Sequence, residues 1–379
     1  MGSLDDFNID DLRDKIDKID TSLVSLFENR MEVVLKIAEY KKNNSMPILN
    51  ESREQVVIKK NLELVKNKDL FSEVEEFFKS VMEISRGFQN KTLNNDIILD
   101  PGKKLTVGFY GVTGSFSEQA LKEYFGEKVD TKAISEFEDI FLELKYGKIN
   151  YGVIPIENSS TGAISEVYDL LNKYDFCITG EKYLKISQNL MGIKGSTLDN
   201  IKEVYSHPQG IEQSMEFLKG YKQWKLIPYK STAKSAELVK NRNDKTMAAI
   251  ASIKAAEIYD LEILQTNVNS NSTNTTRFVV IGKEMESNAQ NNKTSLVLST
   301  THKAGSLYHV LKHFAENNIN LMKIESRPIK DKPWEYFFYI DFQGNIKEAK
   351  IVSAIKLIKE NSRYFKILGN YRSEIINIE

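Results

Sequence analysis

The chain of 379 residues is poor in several residue types, and each shortage removes a class of function. It has one cysteine and four histidines, too few and too scattered for a zinc or iron–sulfur site. The lone Cys177, in the apolar run Phe176-Cys-Ile-Thr, reads as a buried strand residue rather than a catalytic thiol. A net charge of −1 leaves no basic field for nucleic acid and no acidic one for cationic partners. No apolar run approaches the ~20 residues that span a bilayer. The first residues are acidic where a secretory signal would be positive. The expectation is a soluble, cytoplasmic protein using no metal and no cofactor. Arginine is scarce too, nine of 52 basic residues, so each one is a candidate for a place that needs a planar, forked cation. A chain this long exceeds one core and predicts two to four domains.

What is present starts with a heptad-like seam. Apolar residues recur at Leu12, Ile16, Ile19, Leu23, Leu26, Val33, Ile37 and Tyr40 in steps of four and three, which predicts one helix of roughly thirty residues, about 45 Å long. Arg30 stands where the rhythm asks for an apolar side chain. A charge in such a seam either pairs with an acid between packed helices or serves a ligand, and the seam leaves both open. Lys41 lies about 20° from Arg30 around the helix and ~16 Å along it, so the two can converge on one ligand. A second helix, 52–65, opens with Arg53-Glu54, and Ser52 with Gln55 fits a capping box. A third, 70–89, carries Val74, Phe77, Phe78, Val81 and Phe88 as a stripe, with Ser85 and Gln89 sharing one edge of it. Polar groups at seam positions on three helices predict a buried polar site.

The run Leu12-Arg13-Asp-Lys-Ile16, then Glu28-Asn-Arg30, Lys41, Pro47, Arg53-Glu54 and Ser85-x-x-x-Gln89 resembles the all-helical bacterial chorismate mutase domain. The resemblance implies that Arg13, Arg30 and Arg53 hold two carboxylates, one arginine reaching across from the partner of an intertwined dimer. It implies that Lys41 and Gln89 face the ether oxygen and Glu54 the hydroxyl. Asn50 stands where the family commonly has Asp, and an amide can still bond a hydroxyl. Such a unimolecular rearrangement needs no nucleophile or metal, only a grip on the dianion and charge stabilisation at the breaking ether.

Residues 93–104 have little periodicity and include Pro101 and Gly102, a linker pattern. From 105 to 282 strands alternate with helices. Strands at 105–109 and 151–156, and at Val204-Tyr205, Leu226-Ile227 and 248–251, each run into a polar turn and a helix. That is the pattern of an α/β domain with its ligand site at the strands' carboxyl ends. Gly108, Gly111 and Gly114 with Asp130 invite a dinucleotide reading, but the spacing is not the Rossmann one. A tight turn offering backbone N–H groups and Ser117 to an anion fits better. The key stretch is 269–282: eight small polar residues run into Arg277 and then the β-branched strand from Phe278. It reads either as an interdomain linker or as hydroxyls, amides and a guanidinium meeting an oxygen-rich anion, and Arg277 favours the second.

Gly111-x-x-Gly114-Ser-Phe-Ser117, Pro155-Ile-Glu157-Asn158-Ser159-x-x-Gly162, Ser206-His207-Pro208-Gln209, Ala248-Ala-Ile250 and Thr276-Arg277-Phe278 together resemble prephenate dehydratase. The resemblance implies two subdomains built like a type II periplasmic binding protein, with the site in the cleft between them. It implies that Thr276 assists the departing hydroxyl, with Asn158, Ser206 and Gln209 as partners. Ser117, Glu157, Ser159, His207, Arg277 and Phe278 are then the substrate-binding candidates.

Residues 293–379 read as βαββαβ, a ferredoxin-like unit that carries no function by itself. His309 and His313, four apart on a helix but without a third ligand, read as exposed residues. Gly305-Ser306-Leu307 and Glu325-Ser326-Arg327-Pro328 resemble the effector segments of an amino-acid-binding ACT domain, which implies phenylalanine as effector and a homodimer or higher oligomer. The expected architecture is therefore an all-α mutase domain (1–92), a linker (93–104), an α/β dehydratase domain (105–282) and an α+β ACT domain (293–379). The expected substrates are chorismate and prephenate, and neither nucleic acid nor membrane is an expected partner. An arogenate dehydratase and a non-catalytic solute-binding sensor are the alternatives.

Overall fold

The computed structural model describes residues 9–43, 51–94, 105–271, 273–285, 288–330 and 332–374. The chain divides into two compact units, residues 1–100 and 101–379.

The first unit is helical: α1 (Ile9–Asn43), α2 (Glu51–Glu63), a 3₁₀ turn (Lys68–Leu70) and α3 (Phe71–Asn94). Its buried apolar residues are few, among them Met31 and Val34 of α1, Ile58 of α2 and Val81 and Met82 of α3. Here the structure departs from the expected seam. Ile16, Ile19, Leu23, Leu26, Val33 and Ile37 are exposed in the single chain, from 45% to 65%. The heptad rhythm is real, but of these seam positions it is Arg30 that meets α3, while the apolar ones on either side of it stay uncovered within one chain.

The second unit holds three sheets. The first has the order β2 (Asp130–Ile134), β1 (Thr106–Tyr110), β3 (Tyr151–Asn158), β11 (Thr275–Gly282), β5 (Cys177–Lys185), with the short β4 (Gly162–Ala163) on β3. Strands β1, β2 and β3 are parallel, whereas β11 runs antiparallel to both neighbours. Parallel pairing needs crossovers, and α4 (Phe116–Phe125) and α5 (Phe137–Lys145) supply them, while α6 (Ser165–Lys173) follows β4.

After β5 the chain leaves to build a second sheet: β10 (Glu262–Gln265), β6 (Asn189–Gly192), β9 (Met247–Ala251), β7 (Glu203–Ser206), β8 (Lys225–Pro228). It then returns as β11, so two crossing strands join two α/β subdomains. The polar turns act as helix caps. Ser231 accepts from Lys234 N at 3.1 Å before α9 (Thr232–Arg242), and Ser252 accepts from Ala255 N at 3.1 Å before α10 (Ile253–Tyr259). The helix expected after Val204-Tyr205 and its polar turn is instead two short ones, α7 (Pro208–Gln213) and α8 (Met215–Leu218), parted at Ser214.

The third sheet is antiparallel, in the order β13 (Leu321–Pro328), β14 (Tyr336–Gln343), β12 (Lys293–Ser299), β15 (Tyr364–Tyr371). Helices α11 (Ser306–Glu316) and α12 (Ala349–Glu360) cover one face through Val310, Phe314, Ile351 and Ile358. The other face is not solvent-facing: Val297, Tyr339, Leu368 and Tyr371 join the core that contains Phe141 of α5 and Ile154 and Ile281 of the first sheet. His313 is half-buried rather than exposed, with its ring 3.2 Å from the Asn361 amide. Among the described residues no helix is long and apolar enough to cross a membrane.

Candidate active sites

In the helical unit the structure joins two of the residues singled out above. The Arg30 guanidinium donates to the Ser85 hydroxyl across α1 and α3, and Ser85 in turn donates to the Val81 carbonyl at 2.5 Å. Burial lowers the Arg30 pKa. Arg13 is exposed and pairs with Asp10 at 3.2 Å. The helix axis separates Arg13 from Arg30 by seventeen residues, roughly 25 Å. Asn50 and the side chains of Lys41, Arg53, Glu54 and Gln89 lie outside the described residues.

In the second unit, antiparallel pairing puts Thr276 of β11 directly opposite Asn158 of β3. Directly opposed side chains share a face, and the two meet: Asn158 Nδ2 donates to Thr276 Oγ1 at 2.8 Å. The same amide also donates to Asn274 Oδ1 at 2.7 Å. Asn158, Asn274 and Thr276 are all buried, with exposures of 7%, 1% and 8%. The Asn158 carbonyl is held in turn by the backbone N–H groups of Ser160 and Thr161 at 2.9 and 3.2 Å and by the Thr161 hydroxyl at 3.4 Å.

Gln209 reaches this cluster from the other subdomain, its Nε2 donating to Thr161 Oγ1 at 2.9 Å. Two further bonds cross the same cleft: Ser252 Oγ to the Gly114 carbonyl at 3.0 Å and Tyr259 OH to the Thr113 carbonyl at 3.2 Å. Gly114 has φ of +84°, and a Cβ there would stand 3.3 Å from Ala255 Cα, so both the turn and the closeness of the subdomains call for glycine. Asn274, Thr161, Ser252 and Tyr259 were not among the sequence candidates. The Asn at position 274, two residues before Thr276 in a polar run, was the signal available.

Several candidates lie elsewhere. Ser206 is fully buried and donates to the Ile250 carbonyl at 2.8 Å, inside the second sheet. His207 caps α7, its Nδ1 accepting from Gln209 N at 3.3 Å, and burial lowers its pKa. Ser117 is buried on α4, and the Gly114 N–H expected to meet an external anion donates instead to the Glu118 carboxylate at 2.6 Å. Ser159 latches the incoming strand by accepting from Thr275 N at 2.9 Å. Phe278 is core, packed with Val107 and Phe109.

Arg277 does not reach the cleft, contrary to the expectation that it binds substrate. Strand alternation turns it away from Thr276 to the opposite face of the sheet, where it is 2% exposed. There it donates to Glu181 at 2.8 Å, Asp341 at 2.5 Å, Glu157 at 3.3 Å and the Tyr371 hydroxyl at 2.8 Å. Burial alone would lower its pKa, but Asp341, Tyr371 and Glu181 hold it well above the ordinary value. Glu157 shares that face and pairs with Arg277 and Lys323. Neither residue faces the cleft, because the third sheet covers this side of the strands.

At the third sheet, Gly305 (φ +81°) precedes α11, and a cavity of about 310 Å³ opens there, lined among others by Thr300, Lys303, Ser306, Leu307, Trp334 and Tyr336. Glu325-Ser326-Arg327-Pro328 does not line it. Arg327 instead donates to Ser165 at 2.7 Å and pairs with Asp169 at 3.0 Å on α6.

Comparison with known proteins fits this division. Residues 12–90 match the family model "Chorismate mutase type II" and residues 107–286 match "Prephenate dehydratase". A bifunctional chorismate mutase/prephenate dehydratase of Buchnera aphidicola is 36% identical over 370 residues, covering 96% of each chain. Among solved structures, a prephenate dehydratase from Arthrobacter aurescens in complex with L-Phe has a TM-score of 0.66 at 25% identity, covering 71% of this chain and 90% of its own. A quorum-quenching acylase has the same TM-score and identity, covering 71% of this chain and 98% of its own, so likeness of fold alone does not choose the chemistry. The two family matches define a two-enzyme chain, a helical mutase joined to an α/β dehydratase. With the full-length relatives they establish the assignment: the chain belongs to the bifunctional chorismate mutase/prephenate dehydratases.

Proposed function

We propose that the chain rearranges chorismate to prephenate at Arg30 and Ser85 of the helical unit and converts prephenate to phenylpyruvate at Thr276. The observation that carries the second half is the bond from Asn158 Nδ2 to Thr276 Oγ1. By filling an acceptor lone pair of the hydroxyl, it leaves the Thr276 proton free to point at the departing oxygen of the substrate. The donors run one way, from Gln209 through Thr161 and Asn158 to Thr276, so each bond polarises the next. As carbon dioxide leaves, its bonding electrons enter the ring and hydroxide is expelled. Thr276 stabilises the charge on that oxygen as a hydrogen-bond donor. Gln209 comes from the second subdomain, so the relay is complete only when the two subdomains meet.

In the mutase unit Arg30 is the proposed carboxylate ligand with Arg13 and Arg53; Lys41 and Gln89 act at the ether oxygen, and Glu54 and Asn50 at the hydroxyl. Arg13 is too far along α1 to share a site with Arg30 of the same chain, and the exposed Ile16, Ile19, Leu23 and Leu26 leave a long apolar face uncovered. Both features support an intertwined homodimer in which Arg13 serves the partner's site.

The third sheet, with its βαββαβ order, is read as a ferredoxin-like ACT domain (293–379) after a mutase domain (1–92), linker (93–104) and dehydratase domain (105–282) built like a periplasmic binding protein. Its proposed effector is L-phenylalanine, held in the cavity at the start of α11, where the positive end of the helix suits a carboxylate. A cytoplasmic location follows from the substrates. Incubating the purified chain with chorismate tests the reading: phenylpyruvate must form without added metal or cofactor, and its absence would refute the reading.

A further inference from the structure

The cluster behind Thr276 is larger than one ion pair and joins two sheets. Arg277 of β11 and Glu157 of β3 face each other one position along from Thr276 and Asn158. From the third sheet come Asp341 of β14, Lys293 of β12 and Lys323 of β13. Asp341 bonds Arg277, Lys293 bonds Glu181 at 2.7 Å, and Lys323 pairs with Glu157. Ser295 ties in through bonds to Asp341 at 2.5 Å and the Tyr371 hydroxyl at 2.7 Å. Arg277, Glu181 and Lys293 are 2%, 3% and 1% exposed.

The register of the two catalytic strands gives this cluster a task. Val279 to Ile281 pair with Ile154 to Gly152 in an unbroken ladder, and Phe278 pairs with Pro155. The register then shifts: Arg277 pairs with Glu157, and Ile156 has no partner on β11. A bulge of this kind breaks the ladder and turns the chain beyond it. The pairs Arg277–Glu157 and Thr276–Asn158 therefore lie past the break, in a short piece of ladder whose register is offset by one residue from the core ladder and must be held in its own right. What spans the two strands at that point, on the face away from the cleft, is the ionic cluster.

We infer that Glu157, Arg277 and Asp341 are positioning residues for the dehydratase reaction. They fix the register of β3 and β11 from behind, so that Asn158 and Thr276 meet at hydrogen-bonding distance, and Asp341 makes the third sheet a structural part of the active site. The inference rests on the reading of Thr276 and Asn158 as the dehydratase site.

The test uses the full chain with Asp341→Asn, and with Glu157→Gln, a half-exposed position that keeps the fold safe should the buried variant not fold. Steady-state dehydration is measured on folded protein, quantified by circular dichroism, in both wild-type and Thr276→Ala backgrounds. The expected result is a fall in kcat of at least tenfold with KM for prephenate within twofold. In the Thr276→Ala background the same substitutions should cost nothing further, because the group they position is gone. An unchanged kcat per folded molecule, with only the unfolding midpoint lowered, overturns the inference, and so does an equal loss in both backgrounds. If Thr276→Ala itself dehydrates prephenate at the wild-type rate, the site reading fails and this inference fails with it.

Discussion

Asn158 and Thr276 stand on adjacent antiparallel strands with the amide of one donating to the hydroxyl of the other at 2.8 Å. Chemistry that uses this hydroxyl must survive a change that keeps it and suffer from one that removes it. Thr276→Ser should retain dehydratase kcat within about tenfold, and Thr276→Ala should lose ~10²–10³, the usual cost of one donor at a developing charge. Steady-state kinetics with prephenate check both. Equal, mild effects would mean that the hydroxyl is not used.

The mutase should fail independently. Arg30→Ala removes the cation that meets Ser85 between α1 and α3 and should lower chorismate consumption by ~10² or more. The dehydratase residues lie in the other unit, so conversion of added prephenate should stay within twofold of wild type. Parallel assays with the two substrates read this directly.

The two tryptophans differ in a way that reports on the proposed effector. Trp224 is 5% exposed in the core of the second sheet, and Trp334 is 77% exposed at the rim of the cavity, with φ of +67°. Phenylalanine bound there should desolvate the Trp334 indole and shift the emission to the blue. Trp334→Phe should abolish the shift while leaving the Trp224 signal. A shift that persists in the variant would put the effector elsewhere.

Asp341 also predicts a pH dependence. Its burial by itself raises the carboxyl pKa, but Arg277 and Lys293, with the hydroxyl of Ser295, hold it below the ordinary value. Because the folded pKa is the lower one, its contribution is fully present above the unfolded value of about 3.9 and is lost as the pH falls through the folded value. Asp341→Asn should therefore destabilise the second unit at pH 7, by ~3–5 kcal/mol as for a broken buried pair. The gap to wild type should narrow in acid below about pH 4. Urea unfolding at neutral and acid pH measures it.

The sequence made the helical unit, the strand-turn-helix rhythm and the βαββαβ tail legible, because each rests on local periodicity and capping. The stretch ending in Thr276-Arg277-Phe278 stood out for its arginine, yet it is the neighbouring threonine that meets Asn158. Alternation along β11 puts consecutive residues on opposite faces, and only the third sheet's position shows that Arg277's face is closed. The seam of α1 is a similar case: its spacing was visible, but which face packs within one chain was not, since Met31 and Val34 are buried while Ile16, Leu23 and Val33 are not. Thr161 and Asn274 escaped notice because they act through Asn158, across contacts that no spacing rule encodes.

One chain carries two consecutive reactions at two sites. Incubating Thr276→Ala with chorismate and following both products over time tests it most directly. Chorismate should be consumed at the wild-type rate and prephenate should accumulate in nearly equal amount, with phenylpyruvate reduced ~10²-fold or more. Phenylpyruvate appearing at the wild-type rate, or chorismate left unconsumed, would contradict it.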